Sequence, residues 1–187
     1  MEAHLDALAA ICRAALGPGE VTQLRQLSGG ASMESWRFSH GDRDWVLRRL
    51  PFTDNPSDPA DNDVGTISLA TQAGLIAHLH QQGIRVPEIV AQLPPEGPLG
   101  LGFIMACMPG EALPGRLLNK PEFTEARAVL SRQCARELAA IHAFDPALLP
   151  VNLPTYSPRQ LLEEQERYYR QFGSSNPVLE LAFAFLT

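Results

Sequence analysis

The chain has 187 residues, of which 45% are hydrophobic and 19% charged, and its formal net charge is −6. This composition is typical of a folded globular protein, and because the charge is negative with no run of Lys or Arg, we expect no nucleic-acid partner. The sequence shows neither a basic leader followed by an apolar run nor an apolar stretch of bilayer length, so we expect no signal peptide and no membrane partner.

Cysteine usage favours a reducing compartment. The three cysteines are widely separated and form no CxxC pair: Cys12, Cys107 and Cys134. Isolated cysteines in odd number are typical neither of a disulfide framework nor of a zinc site. We therefore expect three buried thiols in a cytoplasmic protein.

The first third of the chain reads as a helix followed by three strands. Apolar residues at helical spacing predict a helix over residues 4–16, ended by Gly17-Pro18-Gly19. Alternating apolar and polar residues then predict strands over residues 21–27, 33–39 and 45–50. A Gly-rich turn separates the first two strands and a tight Gly41-Asp42 turn separates the others. A loop rich in Pro and Asp follows over residues 51–65.

The remaining residues add two strands and then only helices. A helix is predicted over residues 67–82, closed by Gly83, and strands over residues 88–93 and 102–108. A helix then begins near Asn119 and Glu122, which are spaced like a capping pair. This helix is predicted to turn one apolar set inward: Phe123, Ala126, Leu130, Cys134, Leu138 and Ile141. Two more helix starts follow, a capping box at Ser157-Pro158-Arg159-Gln160 and a turn at Asn176-Pro177.

This order of elements predicts an α+β fold. A five-stranded antiparallel sheet with one inserted helix forms a first lobe, and the following helices begin a second. We place the boundary at Pro109-Gly110, which gives a sheet lobe over residues 1–109 and the beginning of a helical lobe over residues 110–187.

The Gly-rich turn at residues 28–32 is a candidate phosphate site. Gly29 and Gly30 lack a Cβ and let a ligand approach the backbone closely, while the hydroxyls of Ser28 and Ser32 lie beside those amides. Arg48, at the end of the third strand, would reach the same phosphates from the other side. On its own, a Gly-Gly turn between strands is more often an ordinary hairpin than a phosphate site.

Several motifs taken together resemble the aminoglycoside phosphotransferase family, which has a protein-kinase-like fold. In this sequence they are residues 27–32, 46–49, 83–87, 102–111 and 138–142. The phosphotransferase domains related to those fused to acyl-CoA dehydrogenases are the most similar. The resemblance implies an ATP-dependent transferase that acts on the hydroxyl of a small molecule, of the aminoglycoside or choline kinase-like type.

The resemblance assigns each matching residue a role. Residues Ser28, Gly29, Gly30, Ala31 and Ser32 would form the flap over the ATP phosphates. Arg48 would bind the α- and β-phosphates.

The remaining roles concern the base and the helix partner. Met105 would face the back of the adenine pocket, and the carbonyl of Ala106 and the amide of Met108 would bond the adenine edge. Gln72 stands where the family has a glutamate that pairs with the strand cation. Because a neutral hydrogen bond is roughly half as strong as a charge-assisted one, we expect Gln72 to hold Arg48 less firmly.

The catalytic half of such an enzyme is missing from these residues. His40-Gly41-Asp42 spells the family's catalytic tripeptide, but Leu47 stands where a metal-binding Asn is needed, so we interpret the tripeptide as a hairpin turn. No aspartate follows Asp145. We therefore expect no catalytic residue and no metal ligand in this chain, and a requirement for Mg²⁺ only in the complete enzyme, of which this chain would be the first part.

Two interpretations of function remain open. The first is an ATP-dependent small-molecule phosphotransferase represented by its nucleotide-binding lobe. The second is a non-catalytic module, either a pseudo-enzyme that binds nucleotide or a protein-interaction domain. In both cases the exposed apolar residues of the last helix favour self-association.

Overall fold

The structure is a computed structural model that describes residues 2–27, 33–51, 66–151, 153–173 and 175–186. The helices are α1 (Glu2–Leu16), α2 (Leu69–Gln81), α3 (Pro114–Asn119), α4 (Thr124–His142), α5 (Pro158–Gln171) and α6 (Pro177–Leu186). The strands are β1 (Val21–Gln26), β2 (Glu34–His40), β3 (Arg43–Arg49), β4 (Ile89–Gln92) and β5 (Gly102–Ala106). Short 3₁₀ turns lie at Pro121–Phe123 and Pro146–Leu148.

The strands form one antiparallel sheet in the order β1-β2-β3-β5-β4. Helix α2 is inserted between β3 and β4 in sequence, and only helices follow β5. The predicted α+β fold is confirmed. The boundaries predicted for the strands, α1 and α2 differ from the observed ones by at most two residues.

The turn between β2 and β3 is the tight hairpin predicted from the sequence. His40 pairs with Arg43, which leaves Gly41 and Asp42 as the two turn residues. Gly41 has a φ of +61°, a conformation that a side chain would strain.

The face of the sheet under α1 holds the larger core cluster. Leu8 and Cys12 of α1 pack on Phe38 of β2 and on Trp45 and Leu47 of β3, and all five are buried. Fully burying one such large apolar side chain stabilises the fold by about 1.5–3 kcal/mol. The α1 helix therefore belongs to the sheet rather than to a separate leader.

The opposite face of the sheet is covered by α2 over β4 and β5. Leu69 and Ala73 pack against Phe103, and Met105 borders the same cluster. Because side chains alternate along a strand, the residues of β2 and β3 that do not point toward α1 also lie on this face. We call it the α2 face.

The chain divides into two compact units. One contains the described residues up to 51 together with residues 69–151, so α3 and α4 belong with the sheet. Within it, the His78 and Phe144 rings meet edge to face at 5.5 Å, and Arg85 lies 3.3 Å from Glu137. The other unit comprises residues 153–186 and the described residues 66–68. It contains α5 and α6, which pack together through the Tyr169 and Phe183 rings, 5.4 Å apart.

One prediction near α3 and α4 was wrong, and one helix was missed. Asn119 does not cap α4: it is the last residue of α3, and its Nδ2 donates to Gly115 O at 2.8 Å. The sequence also did not predict α3. Arg127 of α4 donates to the carbonyls of Leu117 and Lys120, both at 2.8 Å, and so satisfies the end of this short helix. A contact made from the next helix leaves no local sequence signal.

The predicted inward face of α4 is exposed. Leu130, Leu138 and Ile141 have 38%, 52% and 41% of their surface accessible, and Cys134 is exposed as well. Periodicity identifies the apolar face of a helix, but burial requires a partner surface. The prediction of three buried thiols fails for the same reason.

Cys12 alone among the three cysteines is buried, while Cys107 is half-buried. Burial raises the pKa of Cys12 to about 11. Because the thiolate is the reactive form, this residue is a packing group rather than a nucleophile.

Candidate functional site

The Gly-rich turn begins at a fixed point of the sheet. Leu27 N donates to Ser35 O at 2.8 Å, which closes the β1–β2 hairpin below the turn. Residues 28–32, the predicted flap, lie outside the described residues. Ser35 lies opposite Arg48 in the β2–β3 register. Since neighbouring strands are roughly 4.8 Å apart, the base of the turn and the Arg48 backbone are within about 10 Å of each other.

Arg48 has unused hydrogen-bonding capacity. Its Nε lies 3.2 Å from the thioether sulfur of Met33, which is a weak acceptor. Among the described residues, its two terminal nitrogens have no hydrogen-bond partner. A half-buried guanidinium with two free nitrogens on one edge is suited to bind a phosphate oxygen pair.

Gln72 lies on α2 between the core residues Leu69 and Ala73 and is half-buried. The described hydrogen bond of Arg48 goes to Met33 rather than to Gln72. A pairing of Gln72 with Arg48 therefore stays a prediction.

The end of β5 leaves backbone groups available. Ala106 N donates to Glu88 O at 2.8 Å, and Cys107 N donates to Asp44 O at 3.0 Å. Because Cys107 N donates to Asp44 O across β3 and β5, while Ala106 N donates to Glu88 O on the other side, the carbonyl of Ala106 faces away from β3. The amide of Met108 has no hydrogen-bond partner within the part of the chain that the structure describes.

An apolar patch lies between this strand end and Arg48. Met105 of β5 is opposite Val46 of β3, and both are on the α2 face. Arg48 follows Val46 by two residues and so shares that face. Val46 is only 6% exposed and Met105 is half-buried. A planar apolar group with a charged tail would therefore meet mainly Met105, with the edge of Val46 beside it, and a cation at Arg48.

Sequence reasoning missed a polar cluster on the same face. Arg37 Nη2 donates to Asp44 Oδ2, and Ser39 Oγ donates to Asp44 Oδ1 at 2.6 Å. Two hydrogen bonds hold the pKa of Asp44 below its usual value; the one from Arg37 has the larger effect and the one from Ser39 the smaller. The same hydrogen bond to Asp44 raises the pKa of Arg37. The sequence did contain a signal for this cluster, because polar and aromatic residues alternate in β2. This alternation places Arg37 on the opposite face of the strand from Trp36 and Phe38.

The tripeptide His40-Gly41-Asp42 has a structural role. The His40 side chain is 5% exposed, and its Nε2 lies 3.1 Å from Gly17 O. Asp42 is an exposed turn residue at the start of β3, whereas Arg48 is near the end of that strand. The interpretation of this tripeptide as a hairpin turn is confirmed.

Neither a metal cluster nor a membrane helix is found in the described ranges. No group of three or more His, Cys, Asp and Glu side chains there could hold a metal ion. Asp145 accepts a hydrogen bond from Ala147 N at 2.9 Å and caps a 3₁₀ turn. No helix in the described residues combines the length and the apolar character needed to cross a bilayer.

The chain belongs to the phosphotransferase enzyme family (APH), whose family profile matches residues 23–184. Its fold is that of the kinase-like aminoglycoside phosphotransferases. The crystal structure of a candidate aminoglycoside phosphotransferase from Ralstonia eutropha JMP134 is similar with a TM-score of 0.68 at 17% identity, over 97% of this chain and 52% of that chain.

A second solved structure is a thermostable mutant of aminoglycoside phosphotransferase APH(4)-Ia in ternary complex with AMP-PNP and hygromycin B. It has a TM-score of 0.48 at 23% identity, over 74% of this chain and 40% of that chain. The chain thus spans about half the length or less of the solved structures it matches. No curated protein sequence gives a significant match. The predicted relation to domains fused to acyl-CoA dehydrogenases stays a prediction.

Proposed function

We propose that this chain is the nucleotide-binding part of an ATP-dependent phosphotransferase that acts on a hydroxyl of a small molecule. The observation that carries the proposal is the row of groups on the α2 face. Among the described residues, the terminal nitrogens of Arg48 and the amide of Met108 have no partner, and the apolar pair Val46 and Met105 lies between them. This order matches the triphosphate, the base and the polar base edge of ATP.

The proposed contacts follow from this placement. Residues 28–32 would cover the phosphates, and Arg48 would bind the α- and β-phosphates. Met105 would form the back of the adenine pocket. The carbonyl of Ala106 would accept a hydrogen bond from the adenine edge, and the amide of Met108 would donate one to it. Gln72 would orient Arg48 by a neutral hydrogen bond.

The two lobes of the proposed enzyme would meet at Pro109-Gly110. Residues 1–109 would form the nucleotide lobe, and residues 110–187 would begin the helical lobe that binds the acceptor. An amino sugar, a choline-like alcohol and a hydroxyacyl group are all acceptors of the right chemistry. A cytoplasmic location agrees with a supply of ATP.

The residues that orient the acceptor hydroxyl and hold Mg²⁺ would have to come from outside these 187 residues. Phosphoryl transfer on this fold needs two aspartates beyond the hinge, and the last aspartate of the chain, Asp145, caps a turn. The described residues do not fit Mg²⁺, so we assign it to the complete enzyme alone. These 187 residues would bind nucleotide without transferring phosphate.

The second candidate is a non-catalytic module that binds nucleotide or a protein. Gln72 at the position of the family's glutamate and the lack of aspartates after Asp145 favour it. Self-association would accompany either function, since α6 exposes Val178, Leu181 and Phe185 by 74%, 73% and 85%.

The test is titration calorimetry of the 187-residue chain with ATP, with and without Mg²⁺. We expect weak binding that Mg²⁺ changes little, because no aspartate follows Asp145 in these 187 residues to hold the metal. A large gain in affinity with Mg²⁺ would show that metal ligands are present in the chain. Measured phosphoryl turnover that Asp42→Asn abolishes would contradict both the hairpin assignment and the proposed lack of transfer.

A further inference from the structure

A second arginine lies beside Arg48 on the α2 face. Arg37 of β2 is opposite Val46 of β3, and Val46 is opposite Met105 of β5. The three side chains form one row across the sheet. Arg48 lies one step further along the strands, toward the Gly-rich turn. Arg37 is therefore next to the apolar patch, and Arg48 is at its phosphate end.

The Arg37 side chain is anchored in one direction. Asp44 precedes Val46 by two residues on β3, so its carboxylate is on the α2 face as well. Arg37 donates to one oxygen of this carboxylate while Ser39 donates to the other. The anchor draws the guanidinium diagonally from β2 toward β3, alongside Val46. It also restricts the rotation of the guanidinium plane before any ligand arrives.

The anchored guanidinium remains accessible. The Arg37 side chain is 38% exposed and the Asp44 side chain 35%. An ion pair this open to solvent contributes little to stability, so folding alone does not account for the arrangement. A planar cation with an open side next to an apolar patch is a surface on which an aromatic ring can stack.

The two arginines differ in what they can offer a ligand. The charge of Arg37 is balanced by Asp44, and its terminal nitrogen is already used in that pair. The terminal nitrogens of Arg48 have no partner within the described residues. Arg48 is therefore the better ligand for a phosphate, and Arg37 for the face of a neutral ring.

We propose that Arg37 is a nucleotide-binding residue that stacks its guanidinium plane on the base of the bound nucleotide, with Met105 and the edge of Val46 completing the apolar surface. This inference rests on the proposed function. The ligand class is a nucleotide with a flat aromatic base. Stacking requires the base and is indifferent to the number of phosphates.

The experiment compares three ligands in four variants. Dissociation constants for adenosine, ATP and tripolyphosphate are measured by competition with a fluorescent ATP analogue. The variants are Arg37→Ala, Arg37→Lys, Arg48→Ala and Arg43→Ala. Arg43 is the matched control, because it also belongs to an exposed ion pair, with Glu88 at 3.2 Å, but stacks on Trp45 on the α1 face.

Arg37→Ala should weaken adenosine and ATP by the same factor, about threefold to tenfold, and leave tripolyphosphate unchanged. Arg37→Lys should recover little, because an ammonium has no plane to stack. Arg48→Ala should instead weaken ATP and tripolyphosphate, roughly tenfold to a hundredfold, and spare adenosine. Arg43→Ala should change none of the three constants.

The outcomes separate this inference from the function on which it rests. If the wild-type chain binds adenosine and Arg37→Ala leaves that affinity unchanged, the stacking role is overturned and the proposed function stands. Losses that grow with the number of phosphates would make Arg37 a phosphate ligand and also overturn the inference. If the wild-type chain binds neither adenosine nor ATP, the proposed function fails, and the stacking role fails with it. Equal thermal unfolding midpoints of Arg37→Ala and Arg43→Ala would show that a weaker affinity of Arg37→Ala does not result from unfolding of the variant.

Discussion

Adjacent arginines of β3 have opposite roles because strand residues alternate between faces. Arg48 points to the α2 face, where its terminal nitrogens are available to a ligand. Arg49 points to the α1 face, where its side chain is only 10% exposed and its Nη2 lies 2.8 Å from Glu34 Oε2. Its Nε donates to the same oxygen at 3.0 Å. The same residue type thus stabilises the fold at Arg49, while at Arg48 we propose that it binds a ligand.

Glu34 gives a prediction at this scale. Burial would raise its pKa, but hydrogen bonds from Trp36 and Arg49 and the Arg49 charge hold the pKa below its ordinary value. A carboxylate with a depressed folded-state pKa contributes stability above its unfolded-state pKa and loses that contribution as the pH falls through the folded-state pKa. Glu34→Gln should therefore lower the free energy of unfolding at pH 7 by about 1–3 kcal/mol.

The difference between Glu34→Gln and wild type should begin to shrink as the pH falls below about 4.3, the ordinary pKa of Glu, because the unfolded chain is protonated first. The rest of the difference is lost as the pH falls through the lower folded-state pKa. Urea unfolding at pH 7 and at pH 3.5 measures it. Glu88→Gln is the control, because its partner Arg43 is 61% exposed and such pairs contribute little. A Glu34→Gln effect that is the same at both pH values would contradict the depressed pKa.

At the scale of single elements, the helices differ in how much of their structure is local. Helix α5 has a complete capping box: Ser157 Oγ accepts from Gln160 N at 3.2 Å, and Gln160 Oε1 accepts from Ser157 N at 2.7 Å. Ser157 and Gln160 are only three residues apart, and such a local pair can be read from the sequence. The start of α5 was therefore predictable. Helix α3 instead depends on Arg127, ten residues beyond Leu117.

The α5 capping box gives the second prediction. Ser157→Ala removes an acceptor for a helix amide and should destabilise the start of α5 by about 1 kcal/mol. Hydrogen exchange at the first α5 amides measures the change. Ser131→Ala is the control, since Ser131 is an exposed residue within α4 and alanine is a better helix former there. Faster exchange at both positions would contradict a capping effect.

At the scale of the whole molecule, apolar surface is unevenly distributed. Helices α1 and α2 cover the apolar faces of the sheet. In α6, by contrast, several large apolar side chains are accessible: Val178, Leu179, Leu181, Phe185 and Leu186. Exposed apolar surface of this kind is typical of an interaction site. We expect concentration-dependent association of the 187-residue chain.

Substitution of one residue tests this expectation. Phe185 is 85% exposed, so Phe185→Glu should shift the chain toward the monomer without destabilising a core. Sedimentation velocity over a range of concentrations measures the shift. Gln171→Glu adds the same charge at an exposed position of α5 and should leave association unchanged. A wild-type chain that is monomeric at all concentrations would contradict the expected role of α6.

The sequence by itself determined the five strands, every helix except α3, the hairpin at Gly41-Asp42 and the family. These depend on periodicity, turn residues and caps, which act over a few neighbouring residues. The site residues Arg48, Met105 and Met108 were named on the same basis, together with the resemblance. The common face of Arg48 and Met105 follows from strand alternation once the register is known.

Only the tertiary structure decided which surfaces are covered and which side chains are paired. The Arg37–Asp44 pair, the clamp of Arg127 on α3 and the exposure of the α4 apolar face all depend on segments that are distant in sequence or on a partner surface. An amphipathic pattern states which side of an element is apolar, but not what covers it. For that reason the elements were predictable here, while burial along α4 and the Arg37 cluster were not.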